Sequence, residues 1–323
     1  MNTEWLKKIV TAYSIKPCLE RRSEKLPSIL LVTTLALLSV ADSIQADEVT
    51  QKFNGLMLNA NLELAEGKVM QDGIVLIMHG ILGHNRMEVI ESSQQALLDN
   101  GHSSLAINLS LGIDNRHGFY DCSKPHRHMQ EDAIIEIGVW VRWLRDKDVS
   151  KVILMAHSRG SNQAMVYAVD KKDPEVTHLI FLAPGTVDDS KKLWEGRYGT
   201  GFDQTLQGAR KLIAAGKGHE LMDNTDFTFC PQTMVTANTF NSYYGDLGRF
   251  RNFPSYLPRI TVPTLITTGT EDERQPDIKK HVLPYVDGKF IQLSEIEGAG
   301  HFFRDFNIEE AMEVAIEFLD NVD

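Results

Sequence analysis

Short apolar runs alternate with helix-compatible segments along most of this chain. The run Gly73–Met78 is almost continuously apolar, as expected of a strand that is buried on both faces of a sheet. Comparable runs lie at 103–109, 151–156, 177–183, 262–268 and 289–293. Helix-compatible segments lie between and after them, at 87–98, 133–144, 161–168, 277–285 and 308–319. This alternation predicts an α/β fold with a mostly parallel, doubly wound sheet.

The pattern differs in two places. Apolar and polar side chains alternate over 51–65, which predicts one or two antiparallel strands at the start of the fold. Later the pattern stops for about seventy residues, where only a helix over 203–215 is evident. We therefore expect 185–258 to be an insertion that divides the fold into two segments, 47–184 and 259–323.

Residues 1–46 have the features of a targeting segment. Lysines and arginines in its first half precede the apolar run Leu26–Ala41. Small residues favour removal of a signal peptide after Ala41 or after Ala46, which predicts a periplasmic or secreted protein. A retained membrane anchor is the alternative, and the pair Arg21-Arg22 leaves twin-arginine export as a third interpretation.

Length and composition are typical of a globular protein. The 323 residues are 42% hydrophobic and 24% charged, enough for one large α/β domain with a smaller insertion. The formal net charge is −11, which argues against a general nucleic-acid-binding role.

One predicted strand runs directly into a turn that contains a serine. The segment Lys151–Ala156 is followed by His157-Ser158-Arg159-Gly160 and then by the helix-compatible stretch 161–168. A serine at the apex of a strand–turn–helix unit is the arrangement of a nucleophile elbow, in which small flanking residues let strand and helix pack closely. An ordinary strand–helix junction is the alternative, so this turn has to be weighed with the rest of the chain.

Two further polar residues follow predicted strands. Asp272 comes after the strand 262–268, and His301 comes after the strand 289–293. The carboxyl ends of parallel strands meet at one edge of a sheet, so we expect both side chains to lie near Ser158. The chain thus offers a serine, an acid and a histidine, in that order, at one edge.

These motifs together resemble the α/β-hydrolase-fold serine hydrolases of the lipase and esterase type. The turn His79-Gly80-Ile81-Leu82-Gly83, the elbow, and the Gly-x-x-Asp and Gly-x-x-His sequences ending at Asp272 and His301 occur in that superfamily's order. The likeness covers about residues 50–320. It implies the α/β-hydrolase fold with an inserted, largely helical cap, and hydrolysis of carboxylic esters through an acyl-enzyme on Ser158.

The resemblance also implies a role for each side chain. Ser158 is the expected nucleophile, His301 the base that takes its proton, and Asp272 the acid that orients the histidine. Three other carboxylates leave alternatives open for the acid: Glu271, Asp188 and Asp189.

An oxyanion hole requires backbone N–H groups close to the nucleophile. We expect the N–H of Arg159 to supply one, and the N–H of Ile81 to supply the other, with Leu82 as the alternative. The Arg159 side chain either contacts an anionic substrate or forms a surface ion pair.

The aromatic side chains of the insertion allow two interpretations. They either line an acyl pocket or form the core of the cap itself. The residues concerned are Trp194, Tyr198, Phe202, Tyr243 and Tyr244.

Two cysteines lie beyond the targeting segment. Cys122 is in a loop after a central strand, and Cys230 is in the insertion. Export to an oxidising compartment favours a disulfide between them, which would tie the cap to the core. Two unpaired buried cysteines are the alternative.

The loop 114–128 contains three histidines, two aspartates and one cysteine. These residue types bind zinc, but their spacing here is not a specific metal signature. We expect a polar loop near the mouth of the site, with no metal and no other cofactor.

The expected function is that of an exported serine hydrolase acting on a small-molecule ester. A thioesterase or acyltransferase with the same triad is one alternative, and a catalytically silent binding member of the fold is another. We expect membrane contact only through an uncleaved N-terminal anchor, and no nucleic-acid partner.

Overall fold

The computed structural model describes residues 47–185, 190–245, 250 and 252–321. Its strands are β1 (Asp47–Phe53), β2 (Leu56–Glu63), β3 (Ile74–Met78), β4 (Ser104–Asn108), β5 (Val152–His157), β6 (Val176–Leu182), β7 (Leu221–Phe227), β8 (Cys230–Thr236), β9 (Thr264–Gly269) and β10 (Ile291–Ile296). Its helices are α1 (Glu88–Asp99), α2 (Gln130–Arg145), α3 (Arg159–Lys171), α4 (Ser190–Tyr198), α5 (Phe202–Ala214), α6 (Ala237–Tyr244), α7 (Ile278–Val282) and α8 (Phe306–Asn321). The expected signal peptide or anchor, 1–46, lies outside these residues.

Eight of the strands form one sheet, in the order β1-β2-β4-β3-β5-β6-β9-β10. The pairs from β4 to β10 are parallel, whereas β1 and β2 form an antiparallel edge. The predicted fold class, a mostly parallel sheet with helices on both faces, is confirmed. No helix within the described ranges is long and apolar enough to cross a bilayer.

Alternate side chains of the central strands enter two separate cores. In β3, Ile74, Leu76 and Met78 pack with side chains of α2 and α3, whereas Val75 and Ile77 pack with those of α1 and α8. None of the five is more than 2% exposed. Burial on both faces explains why this run is continuously apolar.

The chain leaves the sheet between β6 and β9. This insertion contains α4, α5, α6 and a hairpin of β7 and β8. The helix expected over 203–215 is present as α5, but α4, α6 and the hairpin were not predicted. In β7, Asp223 and Asn224 are exposed, and Asn224 has a φ of 51° at a shift in register. This irregularity removes the period of two that marks a strand in a sequence.

Several contacts tie the hairpin to the loop that follows β4. The N–H of His126 donates to Met234 O at 2.8 Å, and the N–H of Thr236 donates to His126 O at 3.0 Å. A disulfide joins Cys122 to Cys230, with a Cα–Cα distance of 5.3 Å. The pairing that the sequence favoured is therefore present in the structure.

Two elements near the end differ from their predicted bounds. The helix expected over 277–285 is an α-helix only over Ile278–Val282 and continues as a 3₁₀ turn, in which Pro284 lacks an N–H. The last strand begins at Ile291, later than predicted, because Asp287 Oδ1 accepts hydrogen bonds from the backbone just before it. Neither difference moves the residues expected at the site.

Removal of the disulfide should destabilise the protein. Its two cysteines are 108 residues apart, so the chain-entropy model gives a loss of up to about 5 kcal/mol. The double variant Cys122→Ala/Cys230→Ala should therefore unfold at a lower urea concentration than wild type, as measured by circular dichroism. Reducing agent should lower the wild-type midpoint and leave that of the double variant unchanged. Equal midpoints for wild type and variant would contradict a stabilising role.

Candidate active site

Ser158 has a backbone conformation that is rare for a residue with a side chain. It follows β5 and precedes α3, with a φ of 54° and a ψ of −122°. Such a turn projects the serine hydroxyl beyond the carboxyl edge of the sheet. Gly160 permits it, because a Cβ at this position would lie 2.4 Å from His79 O. The backbone therefore has the geometry that the elbow motif predicts.

The structure brings Ser158, Asp272 and His301 together at this edge. His301 Nε2 lies 2.8 Å from Ser158 Oγ, and His301 Nδ1 lies 2.8 Å from Asp272 Oδ2. When Nδ1–H donates to the carboxylate, Nε2 is unprotonated and accepts the serine hydroxyl proton. The three side chains thus form one continuous hydrogen-bonded series.

Asp272 is buried and hydrogen-bonded through both oxygens. Its Oδ1 accepts the backbone N–H groups of Arg274 at 2.9 Å and Gln275 at 3.0 Å, while Oδ2 accepts from His301. Burial alone would raise the pKa of Asp272, but the hydrogen bonds and the charge of His301 outweigh it and hold the pKa below its ordinary value. The carboxylate is therefore ionised at neutral pH.

Among the alternative acids, the described residues include only Glu271, which does not occupy this position. Glu271 is exposed to solvent. It contacts the His301 loop through its backbone N–H, which donates to Ala299 O at 3.0 Å. Asp188 and Asp189 lie outside the described residues. Asp272 is the carboxylate that contacts His301.

The loop that carries His301 is held by a second histidine. His157 Nε2–H donates to His301 O at 2.8 Å, and the two rings lie 5.2 Å apart between centroids. Burial lowers the pKa of His157 to about 3, so its ring is neutral and has a single N–H. Sequence reasoning missed this contact, because nothing in the elbow motif indicates the direction of this side chain.

The loop also approaches β9 closely, at a glycine. A Cβ at Gly269 would lie 2.0 Å from Ala299 O, so any other residue would push the His301 loop away from the strand. The glycine of the Gly-x-x-Asp motif therefore positions the acid and the histidine relative to each other.

The turn after β3 is fixed by buried polar contacts. His79 Nδ1–H donates to Gly80 O at 2.7 Å, and Nε2 accepts the N–H of Leu109 at 3.1 Å. Burial and the charge of Arg116 lower the pKa of His79 to about 3, so this imidazole is neutral. The residues expected to form an oxyanion hole therefore follow a rigid support.

Arg116 completes this support and was not found by sequence reasoning. Its Nη2 donates to His79 Nε2 at 3.1 Å and to Asn108 Oδ1 at 2.7 Å, and its Nε donates to Leu109 O at 2.9 Å. Burial lowers the pKa of Arg116 to about 10, which still leaves it charged at neutral pH. An arginine in a polar loop usually remains in water, so no pattern indicated this buried position.

Two cavities meet at Ser158. The larger, of about 320 Å³, is mainly apolar, and its wall includes Leu82, Met87, Phe119 and Phe302. The smaller, of about 160 Å³, is bordered by residues that include Ile81, Arg159, Trp194, Arg197 and Arg274. His301 and Phe229 border both cavities. Ser158 therefore has space on two sides.

The two residues expected to donate to an oxyanion both lie beside the serine. Ile81 and Arg159 border the smaller cavity with Ser158, and Ile81 also borders the larger one. Leu82, the alternative donor, borders only the larger of these two cavities. The Arg159 guanidinium donates to Gln130 Oε1 at 3.4 Å and to Phe250 O at 3.2 Å.

The aromatic side chains of the insertion mostly form its own core. Trp194, Phe202, Tyr243 and Tyr244 belong to one buried cluster, and Tyr198 packs against it. Of these five, Trp194 and Tyr244 also border the smaller cavity. The aromatic side chains therefore form a core of the insertion, and the acyl pocket stays a prediction for Trp194 and Tyr244.

The histidines of the loop after β4 do not surround a common point. His117 is exposed and contacts Glu48 Oε2 at 2.8 Å, whereas His126 and His128 are buried among aromatic rings. Cys122 is in a disulfide and offers no thiolate. In the part of the chain that the structure describes, no group of His, Cys, Asp or Glu is arranged to hold a metal ion.

Buried His126 should make the protein sensitive to acid. Its ring nitrogens have no hydrogen-bond partner among the described residues, and burial lowers its pKa from 6.5 to about 4. Between these values the unfolded chain binds a proton that the folded protein does not, so stability falls as pH drops through this window. The substitution His126→Phe keeps the stacking on Tyr120. Between about pH 7 and pH 5, its free energy of unfolding should fall about 2 kcal/mol less than that of wild type.

Urea titrations at the two pH values measure this difference in the free energy of unfolding. His117→Phe is the matched control, since His117 is exposed, and it should keep most of the wild-type pH dependence. If the free energy of unfolding of His126→Phe fell as much as that of wild type, the acid sensitivity would arise from other residues.

Part of the chain matches the model of a known protein family. A family described as a protein of unknown function (DUF1749) matches residues 129–259. No match was found among the curated protein sequences.

Several solved structures resemble this one over most of their length. Est1E from Butyrivibrio proteoclasticus is 18% identical with a TM-score of 0.58, covering 85% of this chain and 98% of that one. The monoacylglycerol lipase of Paleococcus ferrophilus is 17% identical with a TM-score of 0.56, covering 82% and 98%. The thioesterase domain from the curacin biosynthetic pathway is 16% identical with a TM-score of 0.52, covering 85% and 99%. At these identities the likeness concerns the fold, and this chain has the α/β-hydrolase fold.

Proposed function

We propose that this chain is an exported serine hydrolase that cleaves carboxylic esters through an acyl-enzyme on Ser158. One observation carries the proposal, the hydrogen-bonded series Asp272–His301–Ser158, in which both contacts are 2.8 Å long. A nucleophile, its base and an orienting acid within hydrogen-bond distance are what acyl transfer to a serine requires. The series ends where two cavities meet, so a substrate has access to the hydroxyl.

The hydrogen bonds determine how the proton moves. As Ser158 Oγ attacks the carbonyl carbon, His301 Nε2 takes its proton, and ionised Asp272 stabilises the imidazolium that forms. The same Nε2–H then protonates the departing alcohol. A water molecule repeats the sequence, and its attack on the acyl-enzyme releases the carboxylic acid and restores the serine.

The negative oxygen of the tetrahedral intermediate needs donors that are already in place. We assign this role to the backbone N–H groups of Ile81 and Arg159, which flank Ser158. The N–H of Arg159 belongs to the first turn of α3, where the helix dipole also favours negative charge. The buried contacts of His79 and Arg116 support the other donor, and donors that need no rearrangement stabilise a transition state most strongly.

The cavities favour a small-molecule ester. The larger one, about 320 Å³ and mainly apolar, has the size and lining of a site for a small organic group. The solved structures of similar fold include an esterase domain from Rhodothermus marinus and a monoacylglycerol lipase, which supports hydrolysis as the reaction. A thioester is the second candidate substrate, because a thioesterase domain is also among them.

Export is part of the proposal. The basic stretch and the apolar run within residues 1–46 favour it. The bond between Cys122 and Cys230 also supports it, because disulfides persist mainly in oxidising compartments.

Covalent labelling tests the nucleophile directly. A fluorophosphonate probe should label wild type at Ser158 and should not label Ser158→Ala, because only an activated serine attacks phosphorus. The same variant should no longer hydrolyse p-nitrophenyl esters or acyl thioesters, as followed by absorbance. Ser123→Ala, at an exposed serine, is the matched control and should be labelled like wild type. A folded wild type that is neither labelled nor active would favour a silent binding protein instead.

Asp272→Asn tests the acid. Asparagine cannot stabilise the His301 cation or enforce the required tautomer, so kcat for a p-nitrophenyl ester should fall by about 10⁴-fold. Asp188→Asn and Asp189→Asn are the comparison variants and should keep most of the activity. Near-full activity in Asp272→Asn, with a loss in either of the others, would move the acid to the earlier strand.

A further inference from the structure

Several arginines border the smaller cavity beside Ser158, on a chain that is negative overall. The chain has 44 aspartates and glutamates against 33 lysines and arginines. The described residues that border this cavity nevertheless include three arginines and no carboxylate. They are Arg159, Arg197 and Arg274. A cavity lined by one sign of charge attracts ligands of the opposite sign.

Arg197 and Arg274 reach this cavity from different parts of the fold and meet at one aromatic ring. Arg197 belongs to α4 in the insertion, and Arg274 belongs to the loop after β9. Their Cζ atoms lie 4.4 Å and 5.6 Å from the ring centroid of Phe229, at the tip of the hairpin. Phe229 is next to Cys230, whose disulfide ties this end of the hairpin to the loop after β4. Cation–π contacts thus hold both guanidinium groups close to the nucleophile.

The known contacts of these two arginines leave donors for a ligand. Arg197 Nη1 donates to Thr228 O at 2.5 Å, a carbonyl oxygen that carries no net charge. Arg274 Nε lies 3.6 Å from Glu273 Oε1, and the two side chains are 39% and 69% exposed, so this ion pair is weak. Each guanidinium has five N–H donors, so both retain donors for the oxygens of an anion.

We propose that Arg197 and Arg274 bind an anionic group of the substrate, a carboxylate or a phosphate. This rests on the proposed function, because it is the ester bound at Ser158 that places the anion between the arginines. The apolar part of the same substrate occupies the larger cavity, against side chains such as Met87 and Phe302. An anion between the two arginines also relieves the repulsion between their like charges, and charge-assisted hydrogen bonds strengthen its binding. The substrate class is therefore an ester with one anionic and one apolar part.

Matched ester pairs test this assignment. Phenyl hexanoate and monophenyl adipate differ by a carboxylate on the acyl side, and methyl 4-acetoxybenzoate and 4-acetoxybenzoate differ by one on the alcohol side. In wild type, kcat/KM should be higher for the anionic member of one pair. That pair identifies whether the acyl or the alcohol side of the ester faces the arginines. The anionic-to-neutral ratio should fall about tenfold in Arg197→Gln and in Arg274→Gln. It should also fall in wild type as salt screens the charges.

A control variant and a binding measurement separate this proposal from the proposed function. Arg142→Gln removes an exposed arginine of α2 that borders neither cavity, and should keep the wild-type ratio. Benzoate and phenyl phosphate, which require no catalysis, should raise the melting temperature of wild type more than that of the two arginine variants. The probe that raises the melting temperature more shows whether the site prefers a carboxylate or a phosphate.

The outcomes are distinct. Hydrolysis that depends on Ser158, with the same ratio in wild type and in both arginine variants, would overturn the anion site and leave the hydrolase intact. Failure of labelling and hydrolysis, with anion binding that depends on Arg197 and Arg274, would overturn the hydrolase and leave the anion site intact. An equal rise in melting temperature in wild type and variants, or no rise, would also overturn the anion site.

Discussion

The close packing between the elbow and the turn after β3 is the constraint on which the whole site depends. Ser158 keeps its positive φ because α3 begins against the backbone of His79, at a distance that only Gly160 allows. His79 is in turn held by Leu109 and Arg116. Ser158 and the turn that faces it therefore form one packed unit, and a substitution in either would shift the other.

The parts of the fold that could be predicted are those with a strong local pattern. The strands β3 to β6 and β9 are buried on both faces, so their sequences are continuously apolar and easily found. Ser158 and Asp272 could be proposed for the site because each follows such a strand, and His301 because it follows β10, the edge strand that runs parallel to β9. Parallel strands end at one edge, so position along the chain was enough to expect the three close together.

The rest depends on contacts between distant residues, which leave no local period. His157 contacts His301 across 144 residues. The burial of Arg116 depends on the acceptors that surround it in the fold, Leu109 O and Asn108 Oδ1, and not on the residues next to it in the sequence. The hairpin was missed because the bulge at Asn224 breaks its alternation. The meeting of Arg197 and Arg274 on Phe229 likewise exists only after the insertion has folded against the core.

The distance in sequence between Ser158 and His301 has a consequence for the order of folding. The two residues are 143 positions apart, and His301 follows β10, the strand at one end of the sheet. A ribosome therefore completes the elbow long before the histidine emerges, and the hydrogen-bonded series cannot close until this last strand has docked. A nascent or truncated chain that lacks β10 and His301 contains Ser158 without this contact. The topology therefore makes the contact between Ser158 and His301 one of the last to form during synthesis.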